Sequence, residues 1–234
     1  MTQSFPKTSL VKWDDAYRII SSRFPPIDLF ERIAPPSEWE ALCELEMRTN
    51  ERARQSWGEI NLVPVEKRVG GPGASYVMAP FVYPRASRFS DGAYGLYYAG
   101  REFQTALMET IHHAQAFFLD TPGLYPRSED YRVLKGRVTA ELHDLRGPTS
   151  AHCLEPANYD APQALARELR AENSNGVVYP SVRNPGGECV GAFWPNVVDI
   201  PIQTTHLRYY FDGRGITRYF DYGPGEWYEI ANAA

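Results

Sequence analysis

Five polar side chains interrupt elements that are otherwise apolar or turn-like: Arg18, Arg88, Tyr98, Glu109 and Ser181. Arginine presents planar, permanently charged donors that grip phosphate or carboxylate bidentately. A carboxylate in a dry site can stabilise positive charge as it develops, and hydroxyls supply orienting hydrogen bonds. Taken singly, each residue has an ordinary reading as surface charge, strand packing or turn chemistry. Glu109 is the anomaly. It falls two positions after Leu107 and two before Ile111, at the edge of an apolar helical stripe. There it is either wet or pointed into a cleft, and a buried carboxylate needs partners. Arg88 and Tyr98 are the nearest candidates in sequence.

The elements that must position these groups follow from periodicity. Phe103, Ala106, Leu107, Thr110, Ile111, Ala114, Phe117 and Phe118 recur at helical spacing and predict an amphipathic helix over 102–119, entered from a short strand at 95–99. Residues 13–24 read as extended and end at Pro25 and Pro26. Ser37 and Glu40 form a capping box for a helix over 37–57. The glycine- and proline-rich stretch after Ile60, up to Ser87, reads as a long loop. Residues 131–142 alternate as a half-exposed strand, and 162–171 form a helix with Pro162 in its first turn. Strands at 176–181 and 189–193 flank the loop VRNPGGE, and 206–211 with 216–220 form a hairpin. Short strands late in the chain and helices grouped earlier predict an α+β domain with a mainly antiparallel sheet and flanking helices.

Composition removes several function classes. The 234-residue chain is 43% hydrophobic, enough for one core, and its net charge of -5, without a basic run, speaks against nucleic acid. No apolar stretch approaches the ~20 residues that span a bilayer, and the first fifteen residues lack a signal-peptide core. Three dispersed cysteines, Cys43, Cys153 and Cys189, argue for a reducing compartment, so the expected location is cytoplasmic, without a disulfide framework or structural zinc. Neither GxGxxG nor GxxxxGK[ST] occurs. The glycines of GGPG at 70–73 read as a flexible loop, and the adjacent His112 and His113 diverge on a helix, so no metal is expected.

The order YRI, SRFS, YYAG, ALMETIHH and GVVYPSVRNPGGECVGAFWP, from about Tyr17 to Phe220, resembles the RES-domain family, named for its arginine, glutamate and serine. Arg88, Tyr98 and Glu109 match its arginine-tyrosine-glutamate order without a gap, and Ser181 lies in the matching strand-end motif. The family's usual Gly-Arg-Trp is here Ser87-Arg88-Phe89, and the segment between Arg18 and Arg88 is longer than in compact members. The resemblance implies a fold similar to ADP-ribosyltransferases, with residues 1–60 as an N-terminal extension of strand and helix packed on a RES-like catalytic domain at 61–234. It also implies an NAD-consuming toxin of a bacterial toxin-antitoxin pair, with NAD+ as substrate, no further cofactor, and a small antitoxin partner, often Xre-like.

On that reading Glu109, Tyr98 and Arg88 are catalytic, and Arg18, Ser181 and Arg183 bind substrate. The acceptor of ADP-ribose is water, phosphate or a protein. The alternative of another class is a non-catalytic module that binds NAD or ADP-ribose.

Overall fold

The computed structural model describes residues 5–23, 35–39, 41, 58–123 and 125–230. The helix expected over 37–57 lies almost entirely outside those residues. Pro36–Glu38 forms a short 3-10 turn, and Trp39 after it is buried in the main core.

Two long strands organise the sheet. β1 (Thr8–Ser21) runs antiparallel to β3 (Arg127–Asp144), from Thr8 opposite His143 to Ser21 opposite Tyr131. The register slips between Trp13 and Ala16. A bulge of this kind reverses which residues face which side, because strand side chains alternate with period two. Before it Val11 and Trp13 enter the main core; after it Ala16 does, and Ile19 joins a second cluster. Arg18 thereby shares a face with Ala16. Without the slip, Tyr17 and Ile19 would take that side.

The remaining strands are β2 (Tyr97–Gly100), β4 (Gly176–Pro180), β5 (Glu188–Ala192), β6 (Ile202–Phe211), β7 (Ile216–Asp221) and β8 (Glu226–Glu229). β2 pairs with β5, β5 with β4, β4 with β3, and β1 touches β2 through Tyr17 and Gly100. Five strands, β1-β2-β5-β4-β3, therefore close on themselves. The other half of β3 carries β6, β7 and β8 as an antiparallel wing. The β3–β4 pair is parallel and every other pair is antiparallel, which makes the domain α+β with a mainly antiparallel sheet. β1, within the segment expected as an extension, is a full member of this sheet.

Helix α1 (Ala74–Val82) corrects the long loop expected before Ser87. Pro80 inside it and the glycines before it mask a helix that is buried nearly all round, so its sequence shows no polar face. Gly73 enters it at φ +84, a left-handed conformation suited to glycine. Gly95 lies flat against it: a Cβ there would overlap the Pro80 carbonyl oxygen and stand 2.7 Å from Phe81 Cα. Backbone atoms cannot swing aside, so Gly95→Ala is expected to cost about 3 kcal/mol, read as a lower urea midpoint.

Helix α2 (Phe103–Asp120) follows β2 after two residues and packs Leu107, Ile111, Ala114 and Phe118 against Ile19, Val133, Leu207, Tyr209 and Phe211. Leu107, Ile111 and Phe118 each contribute about 1.5–3 kcal/mol of burial. Phe117, expected on the apolar stripe, is 46% exposed, with the Arg23 and Arg127 guanidinium groups each 6.0 Å from its ring. Helix α3 (Asp160–Ala171) buries Ala166 and Leu169.

Candidate active site

A cleft of about 550 Å3 opens where β1, β2 and α2 meet, lined among others by Arg18, Arg88, Tyr98, Glu109 and Arg183. Ser181 does not line it directly but bonds the carboxylate that does. The structure thus brings together all six residues singled out in the sequence.

Glu109 projects from α2, one turn beyond Thr105, and its Oε1 accepts a 2.7 Å hydrogen bond from Ser181 Oγ. That proton has a fixed destination. The backbone N–H groups of Arg183 (3.2 Å) and Asn184 (2.9 Å) both donate into Ser181 Oγ. A hydroxyl has one proton and two lone pairs. With both lone pairs engaged, the proton points to Glu109. Among the described residues no hydrogen bond reaches Oε2, so the carboxylate keeps one open oxygen in the cleft.

Arg88 is locked from the outside. Its Nη1 donates to the carbonyls of Cys153 (3.3 Å) and Glu155 (2.8 Å), and its guanidinium lies 4.7 Å from the Tyr159 ring centre. Among the described residues no hydrogen bond reaches its Nε–Nη2 edge, the fork that matches an oxyanion. Arg183 Nη2 donates to the Pro156 carbonyl at 2.9 Å, so one segment, Cys153–Pro156, fixes both arginines. Arg18 donates from Nη1 to the Tyr98 carbonyl (3.0 Å) and stacks 4.7 Å over Tyr97, while its Nε is buried without a partner. Burial pulls the Arg18 guanidinium below its ordinary pKa, against the opposing influence of Tyr97 and Tyr98. None of the three arginines forms an ion pair with a carboxylate among the described residues. The cleft is cationic in a chain of net charge -5.

Tyr98 serves this arrangement differently from a free hydroxyl donor. Its oxygen accepts the Phe89 N–H (3.1 Å) and shares a 2.9 Å hydrogen bond with Ser87 Oγ. Both contacts flank Arg88, so the phenol bolts the arginine loop to β2. Burial pushes its pKa up to about 12, which keeps it protonated at neutral pH. Its ring still lines the cleft. Tyr98→Phe is expected to loosen Arg88 and raise the KM for an anionic substrate about three- to tenfold with a smaller change in kcat, consistent with losing two hydrogen bonds of about 1 kcal/mol each in part.

Six further residues line the cleft without a role assigned to them from the sequence: Tyr17, His112, His113, Tyr179 and Cys189, which lie inside the quoted motifs, and Tyr159, which lies outside them. His113 lies four residues after Glu109, a spacing that places it on the same helical face. Burial is the main cause holding both histidines below their ordinary pKa, with Arg183 and Arg88 acting in the same direction and Glu109 opposing them. Cys189 Sγ stands 4.0 Å from Glu109 Oε1, and burial followed by that carboxylate pushes its thiol up, leaving it un-ionised. Tyr159 has no local signal, since only the fold brings it to Arg88.

The fold and cleft define an α+β protein that sets one carboxylate, oriented by a serine, among three arginines. The RES domain family matches residues 65–212, and the chain belongs to that family. An uncharacterised protein of Sinorhizobium fredii, y4oC, is 31% identical over 207 residues, covering 87% of this chain and 86% of the relative. A chain in the M. tuberculosis MbcT-MbcA toxin-antitoxin complex is 14% identical, covering 85% of this chain and 87% of that one, with a TM-score of 0.45. Among the described residues no helix is long and apolar enough to cross a membrane.

Proposed function

We propose that this chain is an enzyme that cleaves the bond between nicotinamide and ribose in NAD+ and passes ADP-ribose to water, phosphate or a protein. The observation that carries this reading is the Ser181–Glu109 pair, which leaves one carboxylate oxygen open in a cleft of three arginines that have no acidic partner among the described residues. Membership of the RES family supports it.

The chemistry suits these groups. The nicotinamide of NAD+ leaves as a neutral molecule, taking the electron pair of the breaking C–N bond, so no general acid is needed. This differs from ordinary glycoside hydrolysis and its paired carboxylates. Positive charge grows on the ribose as the bond lengthens. Glu109, with Oε1 held by Ser181, presents Oε2 to that charge or to a ribose hydroxyl. The diphosphate needs bidentate donors, for which the Nε–Nη2 edge of Arg88 is suited, while Arg18, held by the Tyr98 carbonyl, adds positive charge at the wall of the cleft.

In the cell this activity makes the chain the toxin of a toxin-antitoxin pair, acting in the cytoplasm. A small Xre-like antitoxin that covers the cleft would hold it in check. Incubation of the purified protein with NAD+, with and without phosphate, followed by mass analysis, is expected to show nicotinamide together with ADP-ribose, free or phosphorylated. Intact NAD+ in both arms, with tight binding by calorimetry, would replace this reading with a binding module.

A further inference from the structure

The loop between β4 and β5, Ser181-Val182-Arg183-Asn184-Pro185-Gly186-Gly187, carries two of the site's groups and closes on itself through Asn184. The Asn184 backbone N–H donates to Ser181 Oγ at 2.9 Å, and its carbonyl accepts the Gly187 N–H at 2.9 Å. Gly187 O in turn accepts the Ser181 N–H at 2.8 Å. The Asn184 side chain leaves this turn altogether. Its Nδ2 donates at 2.9 Å to Oγ1 of Thr105, a fully buried residue in the first turn of α2. Thr105 is one helical turn before Glu109, so the two share a face. Gly187 permits the approach, because a Cβ there would overlap Thr105 Oγ1 and stand 2.8 Å from Asn184 Nδ2.

We infer that Asn184 is a positioning residue that couples the serine loop to the glutamate helix through Thr105, fixing the Ser181–Glu109 hydrogen bond on which turnover depends. The inference rests on the proposed NAD+-cleaving reading for its kinetic consequence, but its geometric content stands apart from the substrate. The loop and α2 come from distant parts of the chain. The only other side-chain hydrogen bond between them, among the described residues, is Ser181 to Glu109 itself. A single 2.7 Å bond to a flexible carboxylate cannot set its own register. A second bond from a rigid turn to a buried helical hydroxyl can, and displacements on the order of 1 Å in such a constellation cost about 100-fold in rate.

The test is a mutant cycle read by nicotinamide release from NAD+. Asn184→Ala and Thr105→Val are each expected to lower kcat about 10- to 100-fold while KM moves less than about threefold. Thr105→Ser, which keeps the acceptor oxygen, stays within about threefold of the wild type. Adding Asn184→Ala to Ser181→Ala causes no further loss, because the asparagine acts through the serine. Losses that multiply in the double variant overturn the inference. So does wild-type turnover in Thr105→Val, or unfolding of both single variants, which would make the contact a stabilising one only. Should the wild-type protein leave NAD+ intact, the functional reading fails in that control arm. A crystal structure of Asn184→Ala then decides the positioning claim alone: Ser181 Oγ is expected to leave hydrogen-bond distance of Glu109, and its retention near 2.7 Å overturns the claim.

Discussion

Glu109→Gln is expected to lower the single-turnover rate of nicotinamide release by about 100- to 1,000-fold while NAD+ affinity changes only a few-fold. The amide keeps the shape of the side chain, and its oxygen still accepts the Ser181 proton, so the loop and helix stay in register. What disappears is the negative charge, and with it the stabilisation of the ribosyl cation that exists only in the transition state. The same exchange at Glu141, on the exposed side of β3, is expected to change nothing. A Glu109→Gln enzyme within tenfold of the wild type would place the reacting carbon away from this carboxylate.

Arg88→Lys is expected to be nearly as damaging to binding as Arg88→Ala, each raising the KM for NAD+ about 10- to 100-fold. A charge-assisted hydrogen bond contributes about 1.5–3 kcal/mol, and tenfold in affinity corresponds to about 1.4 kcal/mol. Lysine retains the charge but cannot hold two carbonyls with one nitrogen while offering a two-pronged edge to a phosphate. Arg88 does the first with Nη1, on the carbonyls of Cys153 and Glu155, and leaves the second free. Steady-state kinetics of the two variants side by side distinguish the fork from the charge. Restoration by lysine would mean that the residue acts as a point charge alone.

Parts of this molecule that obey a local rule could be read from the sequence. The apolar spacing of Leu107, Ile111, Ala114 and Phe118 predicts α2, and the alternation through Leu134, Val138 and Leu142 predicts the middle of β3. The edge position of Glu109 on the α2 stripe leaves it either wet or in a cleft, and only the folded chain decides between the two. Helix α1 escapes because burial on all sides removes the polar face that periodicity needs, and Pro80 argues against it locally. The reach of β3 beyond 131–142 also escapes. Residues 127–130, Arg-Ser-Glu-Asp, and 143–144, His-Asp, contain no apolar side chain, so no alternation marks them as strand. At the site, the order and spacing shared with the RES family single out Arg88, Glu109 and Ser181. Their partners are mostly backbone carbonyls and N–H groups, which carry no residue-type signal. For that reason the bolt formed by the Tyr98 hydroxyl, the backstop at Cys153–Pro156 and the reach of Asn184 to Thr105 emerge only from the folded chain.

The slip in β1 bears on how far this protein can be trimmed. The family match begins at residue 65, yet Arg18 and the strand that seals the five-stranded circle lie well upstream of it. A fragment cut at the family boundary would forfeit a wall of the cleft and leave the long flank of β3 unpaired, inviting strand exchange between molecules. Such a fragment should aggregate rather than display weakened catalysis, and supplying residues 5–23 as a separate peptide should recover solubility before it recovers turnover.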